Sequence, residues 1–575
     1  MKSILFAAAL LCAVITNSFG QDLPHILTKE EAVQMPAYLQ NRVQSTTAIT
    51  TPPVAPVRTI GEWEELQGFT ITWTSYQSIL KEIVRAAKTE TRVYIICSNP
   101  STVISYLATN NIDTVNVTCM QVPYNSVWSR DYGPWSGYTN DVDSLITIDW
   151  IYNRPRPLDD EVPAAIATQL NTPFYQTTTA PWDLIHTGGN FMTDGFGTGF
   201  SSKLILDENP SKTEAEIDTI MNRFMGINRY VKMDKLPYDV IHHIDMHMKL
   251  LDEETLLMGE YPAGVADGPQ IEANLLYVLS NFTSVFGTPY KVIRIPMPAD
   301  NGQYPNSGGD YFTYTNSSFV NKTIIVPTYG IPADTTALRI YRDALPGYTV
   351  TGINSTASIG ALGALHCITK ELGTSDPLLI SHQPLRDTYD DVNPYTVQAL
   401  MKHRSGIAAA WLYYRTDTLQ PYIMVPMSQG FNPDYWVADI PAMPVGTTIY
   451  YYVSGESVSG KQQVRPLPAP AGYWKFKVLG ISSLEEMNQI AFAGSPFPNP
   501  ASAITCLPVY SSRAQSVQID IQTIEGKYVA TIFDGKFQVG ENRIFLDAGT
   551  LADGVYQIRY LMETGVHYQQ LIVTH

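Results

Sequence analysis

The chain is 575 residues long, with 45% hydrophobic and only 16% charged residues and a formal net charge of −17. That composition supplies packed cores rather than a disordered chain, and a single core rarely grows beyond about 250–300 residues, so three or four domains are expected. The negative charge excludes nucleic acid and anionic membrane surfaces as partners, whose phosphates would be repelled, and favours a cationic substrate.

The chain opens with Met1-Lys2-Ser3, the apolar run Ile4 to Ile15 and then Asn17-Ser18-Phe19-Gly20, the three regions of a secretory signal peptide with cleavage expected after Gly20. No other apolar stretch reaches the ~18 residues of a membrane helix. Cys12 leaves with the signal, and Cys97, Cys119, Cys367 and Cys506 remain. Export permits disulfides, and Cys97 with Cys119 is the pair close enough in sequence to suggest one.

Residues 21–58, with the Pro-rich Thr51-Pro52-Pro53-Val54-Ala55-Pro56, read as a leader. Over 59–380 apolar strand patterns alternate with helical ones, as in Phe69 to Trp73, Ser75 to Ala87 and Val93 to Cys97. The alternation returns at Ser144 to Ile151, Lys203 to Leu206, Thr213 to Phe224, Thr255 to Met258, Ile271 to Asn281, Lys291 to Ile295, Thr323 to Val326 and Thr336 to Ala344. Such modules, joined by Gly- and Asn-rich loops, predict an α/β domain with its functional residues on the loops. Over 381–478 aromatic and β-branched runs such as Ala408 to Arg415 and Thr448 to Val453 follow without helices, which suits a β-sandwich. A third segment, 479–575, carries the Pro-rich linker Ser495 to Ala501 and then alternating strands.

Chemistry concentrates in three stretches: Trp128-Ser129-Arg130-Asp131-Tyr132, His242-His243-Ile244-Asp245-Met246-His247, and Gly363 to Lys370 around Cys367. Cys367 lies far from any partner cysteine, in a small-residue loop, and is a candidate nucleophile. On a guanidinium substrate, Asp131 and Asp245 would clamp the N–H groups in pairs, the Cys367 thiolate would add to the central carbon, and His243 would protonate the departing ammonia and then activate water. A rival reading makes His243, Asp245 and His247 a metal site, since alternate residues of a strand share a face. Another makes Cys367 a buried small hydrophobe. Arg154 and Arg156, stiffened in Asn153-Arg154-Pro155-Arg156-Pro157, form either a carboxylate clamp or an ion-pair site for Asp159, Asp160 and Glu161. His247 and His186 are expected to be structural, and Gly188-Gly189-Asn190 by itself signals only a turn.

The stretches 128–132, Thr187-Gly188-Gly189-Asn190-Phe191-Met192-Thr193-Asp194-Gly195, His243-Ile244-Asp245 and Leu365-His366-Cys367, in that order, resemble the bacterial peptidylarginine deiminases of the Porphyromonas type. These stand with the agmatine deiminases in the guanidino-group-modifying superfamily. The resemblance covers about 59–379 and implies a five-bladed, pseudo-symmetric α/β-propeller, the pentein fold, and the roles given above to Asp131, His243, Asp245 and Cys367. It adds Asn316 as a further active-site residue, Trp128 as a wall of the slot, and Arg154 with Arg156 as receptors for the α-carboxylate of a C-terminal arginine. His242 and Met246 beside the catalytic pair, and the loops 184–190 and 300–310, depart from the family pattern. The sandwich resembles the immunoglobulin-like domain of the same family. Pro498-Asn499-Pro500-Ala501, Gly540-Glu541-Asn542 and Leu551 to Tyr556 resemble the sorting domain of the type IX secretion system, a partner that would carry the chain to the cell surface or beyond.

The leading expectation is thus an exported, cofactor- and metal-independent hydrolase turning the arginine of peptides into citrulline and ammonia. Alternatives are an agmatine deiminase giving N-carbamoylputrescine, an amidino transferase, a metallohydrolase, and a surface adhesin acting through the sandwich.

Overall fold

The computed structural model describes residues 23–42, 45–480, 491–494, 496, 499–502, 504–511, 514–524, 526–538, 540–563 and 565–574. The expected signal peptide therefore lies outside the described residues. Between 57 and 373 the strands form five separate sheets, and one unit recurs: two antiparallel strands, a helix, and a third strand parallel to the second. Strand Thr323–Thr328 shows the logic. It pairs antiparallel with Ser318–Val320 and, across helix Ala333–Ala344, parallel with Thr349–Asn354, because parallel neighbours need a crossover long enough to hold a helix. Strands covered on both faces read as unbroken apolar runs, and Val93 to Cys97 is buried throughout. Their covering helices are amphipathic: in Gln77–Ala87 the residues Ile79, Leu80, Ile83, Val84 and Ala87 are buried.

The last strand of this region closes it. Lys370–Gly373 returns to the first large sheet and pairs antiparallel with Leu66–Thr72, placing Lys370 opposite Thr70. Cys367 sits just before this closing strand, and the loops carrying the other motif residues converge on it.

The next strands alternate instead. Tyr395–Lys402 buries every second side chain, as a sheet with one covered face does. Two antiparallel sheets, one holding Leu379–Ser381, Tyr395–Lys402 and Tyr435–Ile440, the other Ile407–Arg415 and Thr448–Ser457, share a core of Val397, Leu412, Ile449, Tyr451 and Phe476. That core already includes Leu378 and Ile380. The C-terminal strands form two further antiparallel sheets around Leu507, Val509, Ile519, Ile521, Ile558 and Leu571.

Four details differ from the sequence reading. The apolar segment Lys203 to Leu206 runs into a short helix, Leu204–Glu208, because the strand position is taken by Thr198–Ser202 just before it. Cys97 and Cys119 are free thiols. Their strands are parallel neighbours, but the register sets Ile95, not Cys97, opposite Cys119. Residues Ile244–Met246 form a 3-10 turn rather than a strand, so His243, Asp245 and His247 do not share one face. Finally, the leader holds helix Lys29–Asn41, started by a reciprocal cap in which Thr28 and Glu31 satisfy each other's backbone N–H groups.

Candidate active site

Cys367 lies in the 3-10 turn His366–Ile368 and is fully buried. Asn316 organises the turn: its Oδ1 accepts from the backbone N–H groups of Ala364 (3.2 Å), His366 (3.0 Å) and Cys367 (3.4 Å), and its Nδ2 donates to the Cys367 sulfur at 3.1 Å. Gly363 lets the indole of Trp128 approach, for a Cβ there would lie 2.4 Å from the ring. Asp245 Oδ2 stands 3.7 Å from the sulfur. Burial, with the Asp245 and Asp131 charges, pushes the Cys367 thiol well above its usual value.

The two candidate carboxylates differ in company. Asp245 Oδ2 is 2.7 Å from His366 Nδ1, and His366 Nε2 is 2.8 Å from Glu62. His366 thus bridges two carboxylates, one at each ring nitrogen. Glu62 in turn pairs with Lys249 at 2.7 Å, and Arg130 runs beneath the turn to Glu371 at 2.7 Å while reaching the His366 carbonyl. Burial would raise Glu62, but His366, Lys249 and Arg130 hold it well below the usual carboxylate range. Asp245 Oδ1 is buried without a hydrogen-bond partner.

Asp131 accepts the Gly189 N–H at 3.2 Å on Oδ1 and the His25 Nε2–H at 2.6 Å on Oδ2. Although burial acts upward, the imidazoles of His25 and His243 hold Asp131 well below the usual range. His243 Nδ1 is 3.7 Å from Asp131, too long for a hydrogen bond, and both its ring nitrogens are buried without one. Burial lowers His243 to about 4, against the upward pull of Asp131. The glycine pair now has a reason. A Cβ on Gly188 would fall 1.9 Å from the Arg130 carbonyl oxygen, and one on Gly189 would fall 2.4 Å from His243 Nδ1, so only glycine lets these three loops meet.

The structure thus gathers Cys367, Asn316, Asp245, His243, Asp131 and Trp128 into one buried cluster. His186 stands apart, its ring tilted against Trp150 and bonded to Tyr230. Among the described residues, the three metal-capable side chains whose ligand atoms come together are His25, Asp131 and His243, not the His243, Asp245 and His247 set weighed from the sequence. Sequence reasoning missed His366 as a bridge, Glu62, and above all His25. Arg154 and Arg156 also reach the site, but through the leader: Arg154 donates to the His25 carbonyl from Nε (3.1 Å) and Nη2 (3.0 Å), and Arg156 pairs with Glu31 at 2.7 Å and donates to the Pro24 carbonyl at 2.6 Å. The proposed Asp159 and Asp160 pairing of these arginines is not formed. Asp159 instead accepts from Ser126 and the Asn125 N–H, and Asp160 binds Arg42 and Tyr38.

A buried thiol set against two carboxylates and an imidazole is equipment for hydrolysing carbon–nitrogen bonds of a cationic amidine. The comparisons agree in class. Residues 58–372 match the Porphyromonas-type peptidyl-arginine deiminase model, and the chain belongs to that family. Residues 495–574 match the secretion system C-terminal sorting domain, which marks the chain for export. A Legionella pneumophila (strain Paris) protein named "Putative agmatine deiminase" is 24% identical over 277 residues, 46% of this chain and 78% of its own length. The solved agmatine deiminase of Enterococcus faecalis is 19% identical with a TM-score of 0.51, covering 57% of this chain and all of that one; at this identity the likeness concerns the fold. Among the described residues no helix is long and apolar enough to cross a membrane.

Proposed function

We propose that this chain is an exported cysteine deiminase that hydrolyses the guanidinium of arginine in peptides, preferably C-terminal arginine, to citrulline and ammonia. The observation that carries the reading is a set of buried polar atoms without hydrogen-bond partners on the motif residues: both His243 nitrogens, and Oδ1 of Asp245, whose Oδ2 stands 3.7 Å from the Cys367 sulfur. Each buried acceptor left unsatisfied costs about 1–3 kcal/mol, a cost that the N–H donors of a bound guanidinium would offset at Asp245 Oδ1 and at the unprotonated nitrogen of His243.

Asp131 and Asp245 would take the N–H groups of the substrate, which neutralises the two charges that hold the thiol protonated and so favours the thiolate as the cation binds. His243 takes the thiol proton, the thiolate adds to the guanidinium carbon, and His243 returns that proton to the departing ammonia, leaving an S-linked thiouronium on Cys367. His243 then takes a proton from water as it adds to the same carbon, and expulsion of the thiolate leaves the ureido group of citrulline. Asn316 holds the turn and donates to the sulfur throughout. The five sheets are proposed as the blades of a closed propeller around this cluster, with 381–478 as an immunoglobulin-like domain and 479–575 as the sorting segment.

Arg154 and Arg156 support a substrate bearing a carboxylate or carbonyl, which agmatine lacks. The names of the relatives favour agmatine as the second reading. The test is citrulline and ammonia release from a peptide ending in arginine, its amide, free arginine and agmatine. Turnover of the free-acid peptide, lost by at least a thousandfold in Cys367→Ala and weakened roughly tenfold to a hundredfold in KM by Arg154→Ala, is the expected result. Turnover of agmatine alone would select the second reading, and turnover of none would remove both.

A further inference from the structure

The leader does not merely precede the α/β region; it lies in the slot. The His25 ring is fully buried, stacked on Trp128 with centroids 4.1 Å apart and planes 11° apart, and meets His243 edge-on at 5.0 Å. Its Nε2 is 2.6 Å from Asp131 and its Nδ1 is 2.8 Å from the Leu362 carbonyl. A carbonyl and a carboxylate both accept, so the two ring nitrogens of His25 stand where N–H donors would bond. A flat π-ring stacked on an indole, with one nitrogen against Asp131, occupies the place that a guanidinium would take.

The backbone completes the likeness. The carbonyl of His25 itself lies in the fork of Arg154, where the residue whose side chain fills the slot would present its own carbonyl or carboxylate. One and two residues upstream, the Pro24 carbonyl accepts from Arg156 and the Leu23 carbonyl accepts from Trp128 Nε1 at 2.9 Å. Downstream, Glu31 grips Arg156, and Tyr38 and Arg42 share Asp160. The helix between these anchors buries only Tyr38 and leaves Val33 exposed, and Ile26 packs against the edge of the α/β core, so the segment is held mainly at polar points rather than by a continuous apolar face.

We propose that the slot is a peptide-binding site whose resident ligand is the chain's own leader, residues 23–42, with His25 standing in for the substrate arginine and keeping the enzyme latent until the leader is displaced. This rests on the deiminase reading for its substrate but not for its occupancy. It also assigns Arg156 and the Trp128 indole N–H to the backbone carbonyls of the two residues preceding the arginine, which makes a peptide a better ligand than free arginine.

The test uses the full exported chain, the variants His25→Ala and Glu31→Gln, and Val33→Ala as a control on the exposed helix face. Two rates are measured: alkylation of Cys367 by 2-chloroacetamidine, assigned by peptide mapping, and citrulline formation from an acylated peptide ending in arginine. The expected result is alkylation at least tenfold faster in His25→Ala, several-fold faster in Glu31→Gln, and unchanged in Val33→Ala. A synthetic peptide spanning residues 21–42 should slow the His25→Ala variant again, which only a folded variant with a vacated slot would show. Equal alkylation in the parent chain and His25→Ala, with no effect of the added peptide, overturns the proposal. Faster alkylation without citrulline would keep the latent slot and remove the deiminase reading; citrulline formed at equal rates by all four proteins would do the reverse.

Discussion

Asp131 and Asp245 are the same side chain, both buried, both beside Cys367, and each is bonded to an imidazole, yet the two imidazoles belong to different kinds of structure. His366 comes from the turn of Cys367 itself and is fixed from behind by Glu62, Lys249 and Arg130. His25 comes from a segment anchored by a few polar contacts. One half of the site is built into the core, and the other half is completed by a group that can leave. The difference shows that a carboxylate's partner identifies its job: a permanent partner orients, and an exchangeable one marks where a ligand goes.

Isosteric neutral substitutions break the comparison most directly. Asp131→Asn and Asp245→Asn should each lower kcat/KM by about a hundredfold to a thousandfold, the scale for removing one charged stabiliser. Only Asp131→Asn should also loosen the leader, seen as faster alkylation of Cys367, whereas Asp245→Asn should not. Glu62→Gln tests the fixed half alone. It removes the charge behind His366 and should cost kcat roughly tenfold to a hundredfold, as loss of outer partners does at other sites, with leader occupancy unchanged. The smallest effect is on stability. Burial depresses His243 and His247 to about 4 and His186 to about 3, so the folded chain binds fewer protons than the unfolded chain below the ordinary histidine value. Stability should therefore be full above about pH 6.5 and fall as pH drops toward 4, by at most about 3 kcal/mol per histidine. A melting temperature that held constant from pH 7 to 4 would contradict the burial of these rings.

How much of this was legible follows from range. The alternation of strands and helices, and the cluster of Cys367, His243, Asp131 and Asp245, could be read because each sits in a local pattern. The glycine pair at 188 and 189 reads only as a turn until its neighbours, Arg130 and His243, are known. Glu62 lies in no motif, and its partners His366 and Lys249 are 304 and 187 residues away. His25 is a lone histidine in a polar stretch. The one local signal in that stretch is Thr28-x-x-Glu31, which starts a helix, and nothing in such a cap says that the residue before it enters a slot. Lys203 to Leu206 misled because a short apolar run fits either element until the neighbouring strand is placed.

The pairing of strand Lys370–Gly373 with Leu66–Thr72 has a consequence for when chemistry becomes available. It joins segments separated by most of the α/β region, and contacts so distant in sequence form late because a long loop must close first. Cys367 adjoins that seam. The contacts of the thiol with Asn316 and Asp245 come from other loops, so the surroundings of Cys367 are complete only in a chain in which this seam is closed. The closing strand is thus a checkpoint: a chain cut short before it carries every motif residue but leaves the turn of Cys367, the proposed nucleophile, without the strand that follows it.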